Sequence, residues 1–261
     1  MIYVNIIGIA VLSVFTLFIL TKKNKGLGDY LLVLIIFLFS GILASGILLE
    51  SEVSVVNYVL FLFFNSFIFP SLIIYGLVLI DSNHQFKLRW LWTASYAILF
   101  MSFICFDTLY TSKYTTEEQI NALVKTPSIV YNILYKGQYL FVIATLLWFI
   151  NRLNKYQRNL KNFFSSIDSI HLNWFKNFTI IYLLVNIVSL ILFIILDLNM
   201  VSDIFIPLLI EHVILVISLF YLCFYGIRQY SLAYFKSFLN SITNKSVSGK
   251  YSTSSLSTKE M

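Results

Sequence analysis

The sequence predicts an all-α fold, a polytopic membrane protein with a bundle of seven transmembrane helices, its N-terminus outside and its C-terminus in the cytoplasm. Three observations predict this. The first is composition: 59% of the 261 residues are hydrophobic and only 11% are charged, where a soluble domain carries about 25% charge. Mean hydropathy is accordingly high, at +0.85. The second is segment length. Seven apolar runs each approach the roughly 20 residues that cross a bilayer as a helix. None alternates with a period of two over about ten residues, as a membrane barrel requires, so helices remain as the way to satisfy the backbone in lipid. The third is the sorting of charge. With the loops assigned alternately to two faces, one face receives Lys22, Lys23, Lys25, Lys87, Arg89, Arg152, Lys155, Arg158, Lys161, Lys176, Arg228, Lys236, Lys245, Lys250 and Lys259. The other receives Lys113 and Lys125, with Lys136 just inside a membrane segment. Basic loops stay on the cytoplasmic side, which sets the orientation.

The first helix covers residues 2–20 and stops at the basic turn TKKNK. It begins without a basic leader or a small-residue cleavage site, so it reads as a retained helix rather than a removed signal peptide. The second, 30–49, ends outside at Glu50 and Glu52. The third, 55–80, carries Pro70 near its middle, where a kink is expected. The turn DSNHQFKLR then returns charge to the cytoplasm, and the fourth helix covers 90–106. Residues 107–127 form the largest external loop; within it Thr115 and Glu118 fit a capping box over the short piece TTEEQINAL. The fifth helix covers 129–150. Arg152, Lys155, Arg158 and Lys161 recur beyond it at helical spacing, which predicts that it continues into the cytoplasm. Ile167, Ile170, Leu172, Trp174 and Phe175 offer an apolar face for the membrane interface. The sixth helix, 178–196, and the seventh, 204–227, are joined by a short external turn. The tail, 230–261, ends rich in Ser, Thr and Lys and reads as a cytoplasmic linker.

Together, residues 1–229 form the membrane domain and 230–261 the tail. The net charge of +6 follows from this topology and is no footprint of nucleic-acid binding. Basic loops on that face also favour anionic lipid headgroups. Cys105 and Cys223 lie near opposite ends of the bundle, which argues against a disulfide between them. Enzyme signatures are absent: there is no H-E-x-x-H, no G-x-S-x-G, no P-loop and no Gly-rich dinucleotide turn. His84, His171 and His212 are scattered over different loops and faces, so neither a metal site nor a cofactor is expected. His171 as a phosphorylatable histidine is disfavoured, because DSIHLNWF leads straight into a membrane helix. The 25 Phe and 17 Tyr read as lipid-facing and interfacial side chains, with Trp90, Trp92, Trp148 and Trp174 forming a belt at the cytoplasmic boundary.

Ionisable groups within the apolar segments are the candidate site. Glu211 and His212 lie about two turns into the seventh helix from the external side. A charge buried in a membrane helix costs roughly 2.5–3.5 kcal/mol on insertion scales, so both are expected to face the bundle interior. They read either as a ligand-binding or proton-sensitive pair or as a structural hydrogen bond between helices. Lys136 and Gln138 sit in the external half of the fifth helix, with Asn132 one turn before. A Lys136–Glu211 ion pair would make the floor of an outward-facing pocket; alternatively Lys136 snorkels to the outer headgroups. Asn57, Asn65, Ser66 and Asn186 are further polar positions, read as interhelical hydrogen bonds of about 0.6 kcal/mol each.

Three segments resemble the membrane-embedded sensor half of AraC/XylS-type transcriptional regulators of the kind found in Bacteroidetes. Residues 69–92, FPSLIIYGLVLIDSNHQFKLRWLW, look like that family's proline-containing helix, polar turn and Phe-Lys-rich start of the next helix. Residues 152–178 are similar to its basic helix followed by an N-F-S-x-x-E/D-x-I-x-L-x-W pattern. Asn162, Phe163 or Phe164, Ser165, Asp168, Ile170, Leu172 and Trp174 supply that pattern, with one residue of slack at the doubled Phe. FYGIRQ at 224–229 and KYSTSSLSTKEM at 250–261 resemble the exit from the last membrane helix and the lead-in to the DNA-binding region.

The resemblance implies a sensor in the bacterial inner membrane, with Asp168, Trp174 and Arg228 on the route of signal transmission. It implies DNA as a partner only through a C-terminal pair of helix-turn-helix units, a region of about 100 residues that is expected to lie beyond Met261. The chain is therefore expected to be a sensor fragment or a shortened product. Other partners are the bilayer, an unidentified ligand or membrane partner, and a second copy in a homodimer. Two alternatives stay open: the sensor region of a histidine kinase, and a small membrane transporter or membrane enzyme. A transporter needs a polar track across the whole bilayer, whereas the ionisable groups here gather in the outer half.

Overall fold

The computed structural model describes residues 2–23, 25–51, 54–81, 86–110, 129–163, 172–197 and 205–228. Within these, the side chains of 50, 51, 55, 107–110, 129, 131, 160–163, 196, 197, 205–212, 215 and 228 lie outside the description. The described residues form α1 (Ile2–Thr21), α2 (Leu27–Ser51), α3 (Val55–Ile80), a 3₁₀ segment (Leu88–Ala94) running into α4 (Ser95–Tyr110), α5 (Ile129–Phe163), α6 (Asn173–Asp197) and α7 (Phe205–Arg228). The regular structure among them is all helical. Six spans are long and apolar enough to cross a membrane, the pattern of a multi-pass membrane protein. In α7 the stretch Val216–Ile227 is a shorter apolar helix.

α3 is the centre of the bundle. It packs against α2, α4, α5 and the 3₁₀ segment, and 72% of its most apolar 18-residue stretch is buried, against 22% for that of α1. α1, α2 and α7 contact one another on one side; α6 bridges α5 to α7, and α4 leans on α3 and α5. The outer surface is apolar, with Tyr3, Leu17, Phe18, Phe37, Ile98, Leu184 and Ile217 all exposed. That surface suits lipid and would be costly in water.

Two acid–lysine clamps close the turns at the basic end of the bundle. Asp29, in the first turn of α2 where the helix dipole favours a carboxylate, pairs with Lys22 at 2.7 Å and accepts the Gly26 N–H at 2.8 Å. Asp81, just past α3, pairs with Lys87. At the other end of α3, Ser54 caps the helix by accepting the Asn57 N–H. The helix runs through Pro70, whose ring nitrogen cannot donate to the Ser66 carbonyl.

The elements differ from the sequence expectation in two places. The fourth span opens as 3₁₀ because the Thr93 and Ser95 hydroxyls donate to the carbonyls of Trp90 and Trp92, three residues back. α5 is a single helix of 35 residues that continues past its apolar run, as the spacing of Arg152, Lys155, Arg158 and Lys161 predicts. At about 1.5 Å per residue it extends roughly 50 Å, against about 30 Å for a hydrocarbon core.

The second difference is at the start of α6, five residues earlier than its apolar run begins. Leu172 and Phe175 are core residues there, not interfacial ones. Phe175 is drawn in by aromatic packing, its ring 5.5 Å from Tyr75 and 5.8 Å from Phe149. Gly76 makes room for both Phe rings: a Cβ there would meet Phe149 at 2.3 Å and Phe175 at 2.4 Å. Trp90 is likewise buried rather than part of a belt, under the Lys87 ammonium. Ile167, Ile170, the capping box at Thr115 and Glu118, and the tail from 230 lie outside the described residues.

Candidate functional site

On α5, Tyr135, Gln138, Tyr139 and Val142 recur at steps of three and four, so they line one face of the helix. On α6 the same spacing aligns Tyr182, Val185 and Asn186, and α3 brings Asn65 and Phe69. These three stripes meet around a cavity of about 70 Å³. A water needs at least roughly 10–15 Å³ in such a space, so there is room for a few waters or one small polar molecule. The cavity lies roughly 20 Å along α5 from Arg152, toward the end of the bundle away from the basic clamps.

The lining is polar without being charged: three amides and three phenols surround the apolar Phe69, Val142 and Val185. Gln138 Nε2 donates across the helix pair to Ser66 Oγ at 3.4 Å. Asn186 donates back to its own helix, to the Tyr182 carbonyl at 2.8 Å, which leaves its amide oxygen as an acceptor. The hydroxyls of Tyr135 and Tyr139 lie 3.3 Å apart, and the Phe193 ring packs against both phenols at 5.0 and 5.6 Å. Behind them, Gly137 lets α4 approach closely enough for the Tyr96 hydroxyl to donate to the Leu134 carbonyl at 2.8 Å. Such a lining presents both donors and acceptors. It suits a neutral polar or hydroxylated molecule and offers no carboxylate, imidazole or thiol for acid–base or nucleophilic chemistry.

From the cavity an aromatic ladder descends α6 to the basic end. Tyr182 stacks on Phe178 at 6.2 Å and Phe178 on Phe175 at 6.0 Å. Phe175 meets Trp174 at 5.3 Å, and Trp174 stacks on Tyr225 of α7 at 5.9 Å and 12°. Tyr225 lies one turn before Arg228, where α7 ends.

The expected site residues divide accordingly. Gln138 lines the cavity. Lys136, half-buried on α5, is not among its lining residues, because two positions along a helix turn it to another face. Trp174 sits at the α6–α7 contact. Glu211, His212 and Arg228 belong to α7, but their side chains, and with them any Lys136–Glu211 pair, lie outside the described residues, as does Asp168 altogether. The phenols of Tyr135, Tyr139 and Tyr182 were missed as site residues. Their spacing from Gln138 and Asn186 is the signal that marks them. Among the described residues no group of His, Cys, Asp and Glu is arranged to hold a metal ion. No family model, curated protein or solved structure matches the chain.

Proposed function

We propose that the chain is the signal-sensing membrane region of a one-component transcriptional regulator of the AraC type. In this reading seven helices span the bacterial inner membrane with the N-terminus outside. The cavity between α3, α5 and α6 takes a small polar or hydroxylated molecule from the envelope side. Residues 1–261 perform no catalysis, and the output is DNA contact through a helix-turn-helix region of the regulator.

The observation that carries the reading is the polar cavity on the flank of α5, which then runs unbroken to Phe163 at the basic end. Occupancy that changes the packing of Tyr139 and Tyr182 acts on α5 directly and on α7 through the ladder to Trp174 and Tyr225. A ligand shifts such an equilibrium only by its differential affinity for two arrangements. The gap between helices set by polar contacts worth about 0.6 kcal/mol each is soft enough to have two.

The test is deletion of the gene in its host, with transcripts profiled across envelope conditions. A defined set of transcripts should lose its response and regain it with the wild-type gene. Gln138→Leu, which removes the contact to Ser66 and makes the lining apolar, should accumulate in the membrane yet fail to restore the response. Unchanged transcripts together with lost uptake of a solute would overturn the sensor in favour of a transporter. Phosphorylation of the gene product from ATP would move the output to a histidine kinase.

A further inference from the structure

A second cavity, of about 200 Å³, opens at the basic end between the end of α3, the 3₁₀ segment and the extension of α5. Arg152, Lys155, Tyr156 and Asn159 present one helical stripe to it, and Arg89 faces it from a different element. Leu77, Ile80 and Trp90 supply apolar wall. Like charges brought together repel unless an anion offsets them. One carboxylate also lines the space, Asp81, whose Oδ1 pairs with Lys87 while its Oδ2 is buried without a hydrogen bond among the described residues. Among the described residues, Arg89, Arg152 and Lys155 have no carboxylate partner, so the cleft keeps an excess of positive charge. Arg152 is held in place by its guanidinium lying 5.5 Å over the Trp148 ring. The Tyr156 hydroxyl is buried and has no hydrogen-bond partner among the described residues, a costly state for a polar group that a ligand would relieve.

We propose that this cleft binds a phosphate group. Several acceptor oxygens on one anion match the forked guanidinium donors of Arg89 and Arg152, the ammonium of Lys155 and the hydroxyl of Tyr156. The surroundings favour the phosphate of an anionic phospholipid headgroup. Leu88, Leu91 and Trp92 are exposed on the 3₁₀ segment beside the cleft, an apolar path for acyl chains next to a basic pocket. The assignment is independent of the sensor reading and of what the polar cavity binds.

The test uses the full chain purified in detergent and examined by native mass spectrometry with added phosphatidylglycerol, phosphatidylcholine or inorganic phosphate. Phosphatidylglycerol should be retained with about a tenfold preference over phosphatidylcholine, and Arg89→Gln with Arg152→Gln should remove that preference, the scale of losing charge-assisted hydrogen bonds. Lys23→Gln with Lys25→Gln removes equal charge from the same end outside the cleft and should leave the preference intact. Tyr156→Phe changes no charge and should weaken retention several-fold, which tests the cleft even if the double arginine variant does not fold. Displacement of the lipid by millimolar inorganic phosphate assigns the site to free phosphate; retention of the lipid under that challenge assigns it to the headgroup. The proposal is overturned if neither phosphatidylglycerol nor phosphate is retained, if Tyr156→Phe binds like the wild type, or if the Lys23/Lys25 control loses as much as the arginine variant.

Discussion

At Gly76 the absence of a side chain is what lets two phenylalanine rings, Phe149 and Phe175, close on the middle of the bundle. Both rings are fully buried, so neither has solvent to retreat into. Gly76→Ala should therefore destabilise the protein by about 1–3 kcal/mol, the usual cost of overpacking a core. Gly28→Ala is the internal comparison. Its added methyl would meet Leu79 at an ordinary 3.6 Å, so it should be neutral or stabilising by up to about 1 kcal/mol through helix propensity. Thermal melting of the two variants in detergent checks the pair; equal melting points would show that the rings give way. At Gln138 the expectation runs the other way. Gln138→Leu gives up a 3.4 Å interhelical hydrogen bond worth about 0.6 kcal/mol. Its melting point should barely move, so a large drop would mean that Gln138 is structural rather than part of a recognition surface.

At the scale of the element, α5 and α6 are the parts that connect the two ends. α5 carries both clefts on one continuous helix, Gln138 in the upper and Arg152 in the lower. α6 carries the stacked series Tyr182, Phe178 and Phe175. Phe178→Leu keeps an apolar but smaller residue and should cost about 1–2 kcal/mol of stability, yet it removes both stacking contacts, to Phe175 and to Tyr182, at once. Under the proposed function, the expected outcome is a protein that accumulates normally and restores the transcript response only weakly. A full response would exclude the ladder as the route and leave α5 to carry the change alone. Much of this was legible in the sequence. The basic recurrence from Arg152 to Lys161 foretold the extension of α5, and charge and hydropathy foretold its apolar half. The 3₁₀ start of the fourth span and the burial of Leu172 and Phe175 were not legible. The first depends on hydroxyl-to-carbonyl bonds three residues apart, and the second on a glycine in another helix nearly a hundred positions away.

For the whole molecule, the proposed topology makes a direct prediction. A reporter fused after Lys250 should report the cytoplasm, and an enzymatic reporter of the external compartment should be inactive there. The opposite result would reverse the orientation drawn from the basic loops and put the phosphate cleft on the outer face. The sequence by itself determined that the chain is helical and apolar on the scale of a bilayer, and which end collects positive charge. Those properties are sums over a window of residues, so neighbours in sequence suffice to evaluate them. Tertiary structure alone decided that Asn65, Gln138 and Asn186 share one cavity while Lys136 turns away, and that Lys22 and Lys87 are paired while Arg89, Arg152 and Lys155 line one cleft without a carboxylate partner among the described residues. Hydropathy says that a helix crosses the bilayer, but not how far it is rotated about its own axis. That rotation is set where small residues and aromatic rings of different helices meet, at Gly76 and Gly137 here, and it brings polar groups far apart in sequence onto one surface.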